Sequence, residues 1–379
     1  MIYLDYNATT PVDDEVLNAM LPYFTEFYGN ASSRTHLFGW DAKEGVEVAR
    51  KQVAHLIGAS HKEIVFTSGA TESVNLALKG LLETGIKNGK NHIITVKTEH
   101  KAVLDTCDYL EKNKGVKITY LDVDALGNID LAVLESHICK NTLLVAIMFA
   151  NNETGLLHPI EKIAAVCKKH QVFLFSDATQ AVGKIEVHPK KLGIDIMAFS
   201  AHKMYGPKGV GALYVKDGLE LREQQNGGQH ERKRRSGTLN VPGIVGFGKA
   251  AAVAQKRLNN DPQKLKIQRD YLENSLLNLL DDIFVNGHTT HRISHVSNIL
   301  FKNIVAEDLM LALSTHVALS SGSACNSASV LPSHVLQAMH LSDDDALSSI
   351  RFSLGRQTTD EEIDIVVKKV CRAVNRLRD

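Results

Sequence analysis

The sequence predicts an α/β fold: a large, mostly parallel sheet with helices on both faces, followed by a smaller α+β unit. Three observations carry that expectation. Short β-branched runs alternate with helical patterns between about residues 60 and 215, several of those runs are apolar throughout, and the texture changes to long helical stretches from about residue 250. Strand and helix in repetition mark a sheet clothed in helices. An apolar run without alternation suits a strand buried on both faces.

Taken in chain order, EIVFTSG (63–69), HIITVKT (92–98), KITYLDV (117–123), TLLVAIMF (142–149), VFLFSDA (172–178), IDIMAFS (194–200) and GVGALYV (209–215) read as strands. Between them, TESVNLALKGLLETG (71–85) has helical spacing, and IEKIAAVCKKH (160–170) adds lysines at its end, where positive charge complements the helix dipole. The stretch 249–282 reads as one long helix or two, interrupted near Asn259–Pro262. VSNILFK (296–302) and SIRFSL (349–354) read as strands of a second mixed region, closed by an amphipathic helix over 360–378. No internal repeat or low-complexity segment interrupts this plan.

Composition excludes several function classes. Lys plus Arg equals Asp plus Glu, 43 each, so no field of one sign favours nucleic acid or a membrane surface. The opening MIYLDYNATTPVDD lacks a basic n-region and an apolar h-region, so no signal peptide is expected. No apolar run approaches the ~20 residues of a membrane span. The five cysteines, Cys107, Cys139, Cys167, Cys325 and Cys371, are scattered and odd in number, which points to a reducing, cytoplasmic compartment.

The chemistry is concentrated in a few polar strand ends. In AFSAHKMYGPKG, Lys203 follows an apolar strand and precedes a Gly/Pro turn, where an amine with a lowered pKa can form a Schiff base. Alone it reads as a solvated turn lysine. FSDATQAVGK ends a strand on Asp177, at the sheet edge where α/β folds bind ligands. Alone it reads as a helix cap. Together, a lysine that forms an imine and a carboxylate that keeps a pyridinium nitrogen protonated are what pyridoxal phosphate requires. TSGATES (67–73) is a strand-to-helix turn able to cradle a phosphate on backbone N–H groups and the Thr71 hydroxyl, or equally a capping box. His100 in TEHKAVLD and Asn152 in NNETG follow two further strands. SSGSACNSAS (320–329) places Cys325 among small polar residues, unlike a packing cysteine.

YLDYNATTP (3–11), GNASSRTH, TSGATES, TEHKAVLD, NNETG, SDATQ, SAHKMYGPKG, RRSGT, SSGSACNSAS and SSIRFSLGR (348–356) cover nearly the whole chain in order. On these stretches the sequence resembles the cysteine desulfurases, NifS- and IscS-like pyridoxal phosphate enzymes of the class V aminotransferase group with the fold-type I architecture. The resemblance implies a large cofactor-binding domain over 15–258 and a small domain over 259–379, joined by the N-terminal segment 1–14. It makes Lys203 the Schiff-base lysine, Asp177 the pyridinium partner and Gln180 the donor to the cofactor's phenolic oxygen. His100 stacks on the ring and shuttles protons. Ala70, Thr71, Ser200 and His202 hold the phosphate, with Thr238 of RRSGT reaching across from a second subunit of a homodimer. Asn152, which also borders the cofactor, and Arg351 match the substrate positions, the guanidinium gripping an α-carboxylate. Cys325 matches the nucleophile that takes sulfur from L-cysteine as a persulfide, on a loop of the longer, mobile kind. Ala201 stands where glycine is usual beside the lysine, and Ala31 where proline is common.

The implied acceptors are an iron–sulfur scaffold or a tRNA-thiolation protein. GNASSR, GGQHERK and PSHVLQAMHL add a subgroup resemblance to desulfurases that supply DNA phosphorothioation. Selenocysteine lyase shares the same apparatus, and a non-catalytic sulfur carrier or scaffold is the alternative of another class. The histidines of GHTTHRISH (287–295) fit no metal-ligand spacing, and HERKRR (230–235) is expected to organise the loop carrying Thr238 rather than to bind nucleic acid directly. The other four cysteines are expected to be packing residues.

Overall fold

The computed structural model describes residues 1–322 and 331–379 in full, and residues 325–326 and 329–330 by their backbone. After a short strand β1 (Ile2–Tyr3), the chain builds its main sheet from β2 (Ile64–Thr67), β3 (His92–Val96), β4 (Lys117–Leu121), β5 (Thr142–Ala146), β6 (Phe173–Asp177), β7 (Ile196–Ser200) and β8 (Gly211–Val215). Their spatial order is β2-β8-β7-β6-β5-β3-β4. β8 runs antiparallel to both neighbours and the other pairs are parallel. The carboxyl ends of the six co-directional strands therefore share one edge.

Burial explains why these strands lack alternation. Along β7, Ile196 and Ala198 join one apolar cluster while Met197 and Phe199 join another on the opposite face. β8 repeats the division, with Ala212 and Tyr214 on one side and Leu213 and Val215 on the other. Successive side chains of a strand point to opposite faces, so a sheet covered twice needs apolar residues at every position. Phe175, Phe199 and Phe247 are among the largest fully buried side chains. Each contributes roughly 1.5–3 kcal/mol by leaving water.

Helix Leu37–Leu56 packs against helix Val241–Arg257. At their crossing Gly248 lies so close to Ala49 that a Cβ would collide with that residue's backbone. Helix Val241–Arg257 begins earlier than the texture change at 249 suggested, because the Asn240 side chain accepts from the Gly243 N–H and Pro242 lies in the first turn. Helix Asp261–Leu279 follows after the expected interruption.

The smaller sheet has the order β14-β10-β9, from β9 (Ile283–Val285), β10 (Val296–Phe301) and, after β11 (Val317–Ala318), β12 (Cys325–Asn326) and β13 (Ser329–Val330), β14 (Ser349–Ser353). β1 pairs in parallel with β11, and β12 pairs antiparallel with β13. A third apolar cluster unites Ile2 and Leu4 with Leu272, Ile299, Phe352, Ile363 and Val370. The closing helix spans Asp360–Arg378 behind a Thr359–Glu362 capping box. Among the described cysteines, Cys107 and Cys167 are buried and Cys371 is partly so. Cys139 departs from the expected packing role. It is exposed, in the turn entering β5, with its sulfur 3.5 Å from the Thr142 hydroxyl.

Candidate active site

Five strand ends converge on a cleft of about 640 Å³ at the shared carboxyl edge of the sheet. The N-terminal strap Asn7–Thr9 and Arg351 of β14 complete its walls. The volume is that of a cofactor-sized pocket.

Lys203 sits in a single 3₁₀ turn directly after β7. Its Nζ donates to the carbonyls of Asn7 and Ala8, each at 2.6 Å. Burial, reinforced by the charge of Arg351, pulls this amine down to about 8, with Asp5 and Asp177 opposing. Asp177, the last residue of β6, is buried, and its Oδ1 accepts from the Thr179 N–H at 2.9 Å. His100 is the N-cap of helix Lys101–Lys114: its Nδ1 accepts from the Ala102 N–H at 3.1 Å. That bond assigns the ring proton to Nε2 in the neutral imidazole. Desolvation at the cleft wall lowers its pKa, against the pull of Asp177.

The phosphate end follows from helix Ala70–Gly85. Its N-cap, Gly69, has no side-chain cap, and Glu72 reaches back instead to the Ser68 N–H at 2.7 Å. The first-turn N–H groups thus face an anion-ready helix terminus in the cleft. Gly211 of β8 approaches so closely that its Cβ would come within 2.7 Å of Gly69 Cα, so a side chain there would displace the turn. Ser200 and His202 line the same end, the former donating to the Val210 carbonyl at 3.3 Å. Burial, with Lys203 adding, pulls the His202 imidazole down to about 4, so it offers an N–H rather than a charge. Its Nδ1 lies 3.1 Å from the Thr9 hydroxyl.

At the substrate end, Arg351 donates from Nη2 to Asp5 at 2.7 Å and from Nη1 to the Asn152 carbonyl at 3.0 Å. Its buried Nε, and the Oδ1 of Asn152, have no partner among the described residues. Both residues line the cleft, and a ligand bound there is one way to satisfy buried polar atoms of this kind. A carboxylate answers the guanidinium N–H, and a donor answers the amide oxygen.

The structure thus brings together Ala70, Thr71, His100, Asn152, Asp177, Gln180, Ser200, His202, Lys203 and Arg351. Thr238 does not line this cleft; it is exposed in the single chain. The Cys325 thiol lies outside the described residues. Its described flanks rest on the site: the Arg351 N–H donates to the Ser320 carbonyl at 2.7 Å, and Ser333 Oγ donates to Glu153 Oε2 at 2.5 Å.

The aminotransferase class-V model matches residues 2–366. The chain belongs to that family. Cysteine desulfurase IscS of Anaeromyxobacter sp. (strain Fw109-5) is 52% identical over 380 residues, covering 100% of this chain and 93% of the relative. A solved NifS-like protein superposes with a TM-score of 0.92 at 39% identity, over 99% of each chain. DndA from Streptomyces lividans superposes with a TM-score of 0.79 at 39% identity, over 91% of this chain and 97% of that one. The cofactor of this class-V enzyme is pyridoxal phosphate, and the cleft fits it. Asp177 could meet its ring nitrogen, Lys203 its carbonyl carbon and the uncapped helix terminus its phosphate.

Sequence reasoning overlooked the groups that hold these residues. Asn7 is a hub: its N–H donates to Ser353 Oγ, its Nδ2 to the Asn152 carbonyl, and its carbonyl accepts from Gln180 and Lys203. Glu99, fully buried beside Asp177, accepts from the Met148 N–H and leaves its Oε2 unpartnered. Burial, then the Asp177 charge, pushes this carboxyl well above the usual carboxylate range. His295, in the histidine-rich stretch set aside for metal binding, places Nε2 2.8 Å from Asn7 Oδ1. Each neighbour lies within a quoted motif, yet nothing in residue order says which side chains meet. HERKRR contributes Glu231, which takes both ends of the Arg50 guanidinium at 2.7 Å and the Phe66 N–H at 2.7 Å. Arg235 pairs with Glu72 at 2.8 Å, tying the segment before Thr238 to the phosphate turn.

Proposed function

We propose a division of labour for this pyridoxal phosphate-dependent cysteine desulfurase in which the cleft binds and orients L-cysteine and Cys325 receives its sulfur. Arg351 Nε and the Asn152 amide are the substrate's anchors, one for the carboxylate and one for a hydrogen-bond donor. Lys203, held at about 8, is partly unprotonated near neutrality and is the residue that binds the cofactor. Its neutral fraction is what makes it a nucleophile toward a carbonyl. The bound cofactor supplies an electron sink, strongest while Asp177 keeps its ring nitrogen protonated. His100 holds a proton at Nε2, from which it can donate a hydrogen bond to groups in the cleft, and its lowered pKa favours that neutral ring. The Cys325 thiolate then attacks the substrate sulfur: an S–S bond forms as the Cβ–S bond of L-cysteine breaks, the electron pair left on carbon takes up a proton, and L-alanine leaves while Cys325 keeps the persulfide.

The observation that carries this reading is the convergence of Lys203, Asp177, His100, Asn152 and Arg351 on one cleft, with buried atoms of the last two lacking partners among the described residues. Two variants test it. Lys203→Ala should lose the visible absorbance of bound cofactor together with sulfide release. Cys325→Ser should keep the absorbance and its response to L-cysteine but release almost no sulfide. Full activity in either variant contradicts the assignment.

The chain is proposed to act as a homodimer in which Thr238 serves the partner's phosphate site. Support comes from exposed aromatic side chains near the N-terminus, Phe24 at 58%, Tyr28 at 63% and Trp40 at 51%. Where such side chains gather, they mark interaction surfaces. The division into 15–258 and 259–379 with 1–14 is supported by the separate apolar cluster that unites Ile2 and Leu4 with residues beyond 265. A reducing, cytoplasmic location is supported by the free state of the four described cysteines. The sulfur acceptor is proposed to be an iron–sulfur scaffold or a tRNA- or DNA-thiolation protein. Transfer of labelled sulfur from Cys325 to proteins captured on the holoenzyme distinguishes these classes.

A further inference from the structure

Lys184 is a second amine close to Lys203 that the reaction above does not use. It is half-buried and borders a small cavity of about 30 Å³ that also touches Lys203 and His295, behind the main cleft. It does not line the cleft itself, whereas Gln180 does. Its Nζ lies 2.5 Å from Gln180 Oε1 and 3.5 Å from Asn7 Oδ1. No acidic side chain pairs with it among the ion pairs of the described residues. Desolvation, then the charges of Lys203 and Arg351, pulls its amine well below the ordinary lysine range.

The surrounding donors and acceptors are determined one from another. The Asn7 carbonyl can only accept, so the Gln180 atom facing it at 3.0 Å is Nε2. Gln180 Oε1 is then the atom facing Lys184, which supplies an N–H whether it is an ammonium or a free amine. Asn7 Nδ2 donates to the Asn152 carbonyl, so Asn7 Oδ1 is an acceptor and His295 Nε2 carries a proton toward it at 2.8 Å. Turning the Gln180 amide over would set NH₂ against Lys184 and oxygen against the Asn7 carbonyl. The oxygen–oxygen contact would be repulsive in either state of Lys184, and the NH₂ contact would lose the hydrogen bond that Oε1 accepts.

We propose that Lys184 is a positioning residue that locks the Gln180 carboxamide with its NH₂ on the cleft side, so that it donates to the phenolic oxygen of the bound cofactor. This rests on the pyridoxal phosphate reading above and deepens it. Without Lys184, Oε1 has no donor behind it, and only the Asn7 carbonyl still opposes turning the amide over.

The test is a pH titration of the bound cofactor's visible absorbance, which reports the proton on the Lys203 nitrogen that holds it. A donor to the phenolic oxygen draws off negative charge that would otherwise retain that proton, so the native contact lowers the midpoint. Lys184→Met holoenzyme should titrate about one pH unit higher. Gln180→Leu should shift the same way, and the double variant should shift no further than the larger single one. A midpoint unchanged in Lys184→Met overturns the proposal. Additive shifts also overturn it, because Lys184 would then act by its charge and not through Gln180. Should Lys184→Met fail to fold or to load, Lys184→Gln, which retains an N–H donor, should shift by less than half as much as Gln180→Leu, and an equal shift overturns the proposal. A wild-type protein without visible absorbance after loading would instead contradict the cofactor reading itself.

Discussion

Lys203, Asp177 and Arg351 owe their chemistry to what lies behind them. Lys203 is pulled down to about 8 by burial and by Arg351, with Asp177 acting in the opposite sense. Arg351 in turn is held by Asp5 and the Asn152 carbonyl, which aims the remaining Nε N–H. Arg351→Lys removes that N–H and the planar fork. It should lower kcat/KM for L-cysteine roughly 10–100-fold, the worth of a charge-assisted hydrogen bond, mainly through KM. The visible absorbance of the cofactor should persist; its loss would mean that Arg351 serves cofactor binding. Glu99 makes a pH prediction. Its folded-state pKa is raised above the ordinary 4.5, so its contribution to stability is complete below that value and is lost as pH rises through the folded value. Between 4.5 and the raised folded value, wild type forfeits up to about 1.4 kcal/mol per pH unit, whereas Glu99→Gln forfeits nothing at this site. Thermal unfolding should therefore show a Tm difference that grows with pH in favour of the variant. Parallel Tm curves from pH 4.5 upward would show that the fold does not hold Glu99 protonated.

At the scale of elements, the phosphate turn and the segment leading to Thr238 are joined by charge. Glu231, Arg232 and Lys233 all adopt positive φ, at 47°, 58° and 65°. Such a run of left-handed residues persists only where its surroundings over-determine it. The restraint here is the two-bond contact of Glu231 with Arg50 and its acceptance of the Phe66 N–H from β2. Breaking a buried pair leaves one charge stranded, so Glu231→Ala should cost about 3–5 kcal/mol in chemical denaturation. The Glu231→Leu, Arg50→Met pair should recover part of that loss. Cofactor affinity should fall in Glu231→Ala as well, because Arg235 and Glu72 link this segment to the turn that begins helix Ala70–Gly85. A loss of stability below about 1 kcal/mol would mean that the pair behaves as a surface ion pair.

For the whole molecule, the cleft is built where separate parts of the chain meet. The strap around Asn7 enters it from the N-terminus, the strand ends of the main sheet form its floor, and Arg351 arrives from the smaller sheet. The exposed side chains of Phe24, Tyr28 and Trp40 lie in the N-terminal helical region. If they belong to the dimer face, Phe24→Glu with Trp40→Glu should shift sedimentation from dimer to monomer and weaken cofactor binding, since Thr238 of each chain would lose the neighbouring site. Mixing Thr238→Ala chains with Lys203→Ala chains should restore activity above either parent, because one site of the mixed dimer has both groups intact. Proven mixing without any recovery would count against a shared site.

Local patterns were sufficient for the sheet, the helices and the placing of the candidate residues at the sheet edge. Strands buried on both faces leave unbroken apolar runs, and a polar residue directly after such a run must lie at the sheet edge. Lys203, Asp177, His100 and Asn152 were legible for that reason. Distance along the chain hid what supports them. Asn7 touches Gln180 and Lys203 from the other end of the chain, His295 reaches Asn7 from a stretch that looked like a surface cluster, and Glu153 receives Ser333. Residue order carries no record of such contacts. They arise when folding closes the N-terminal strap over the strand ends and removes water from groups that must then satisfy one another.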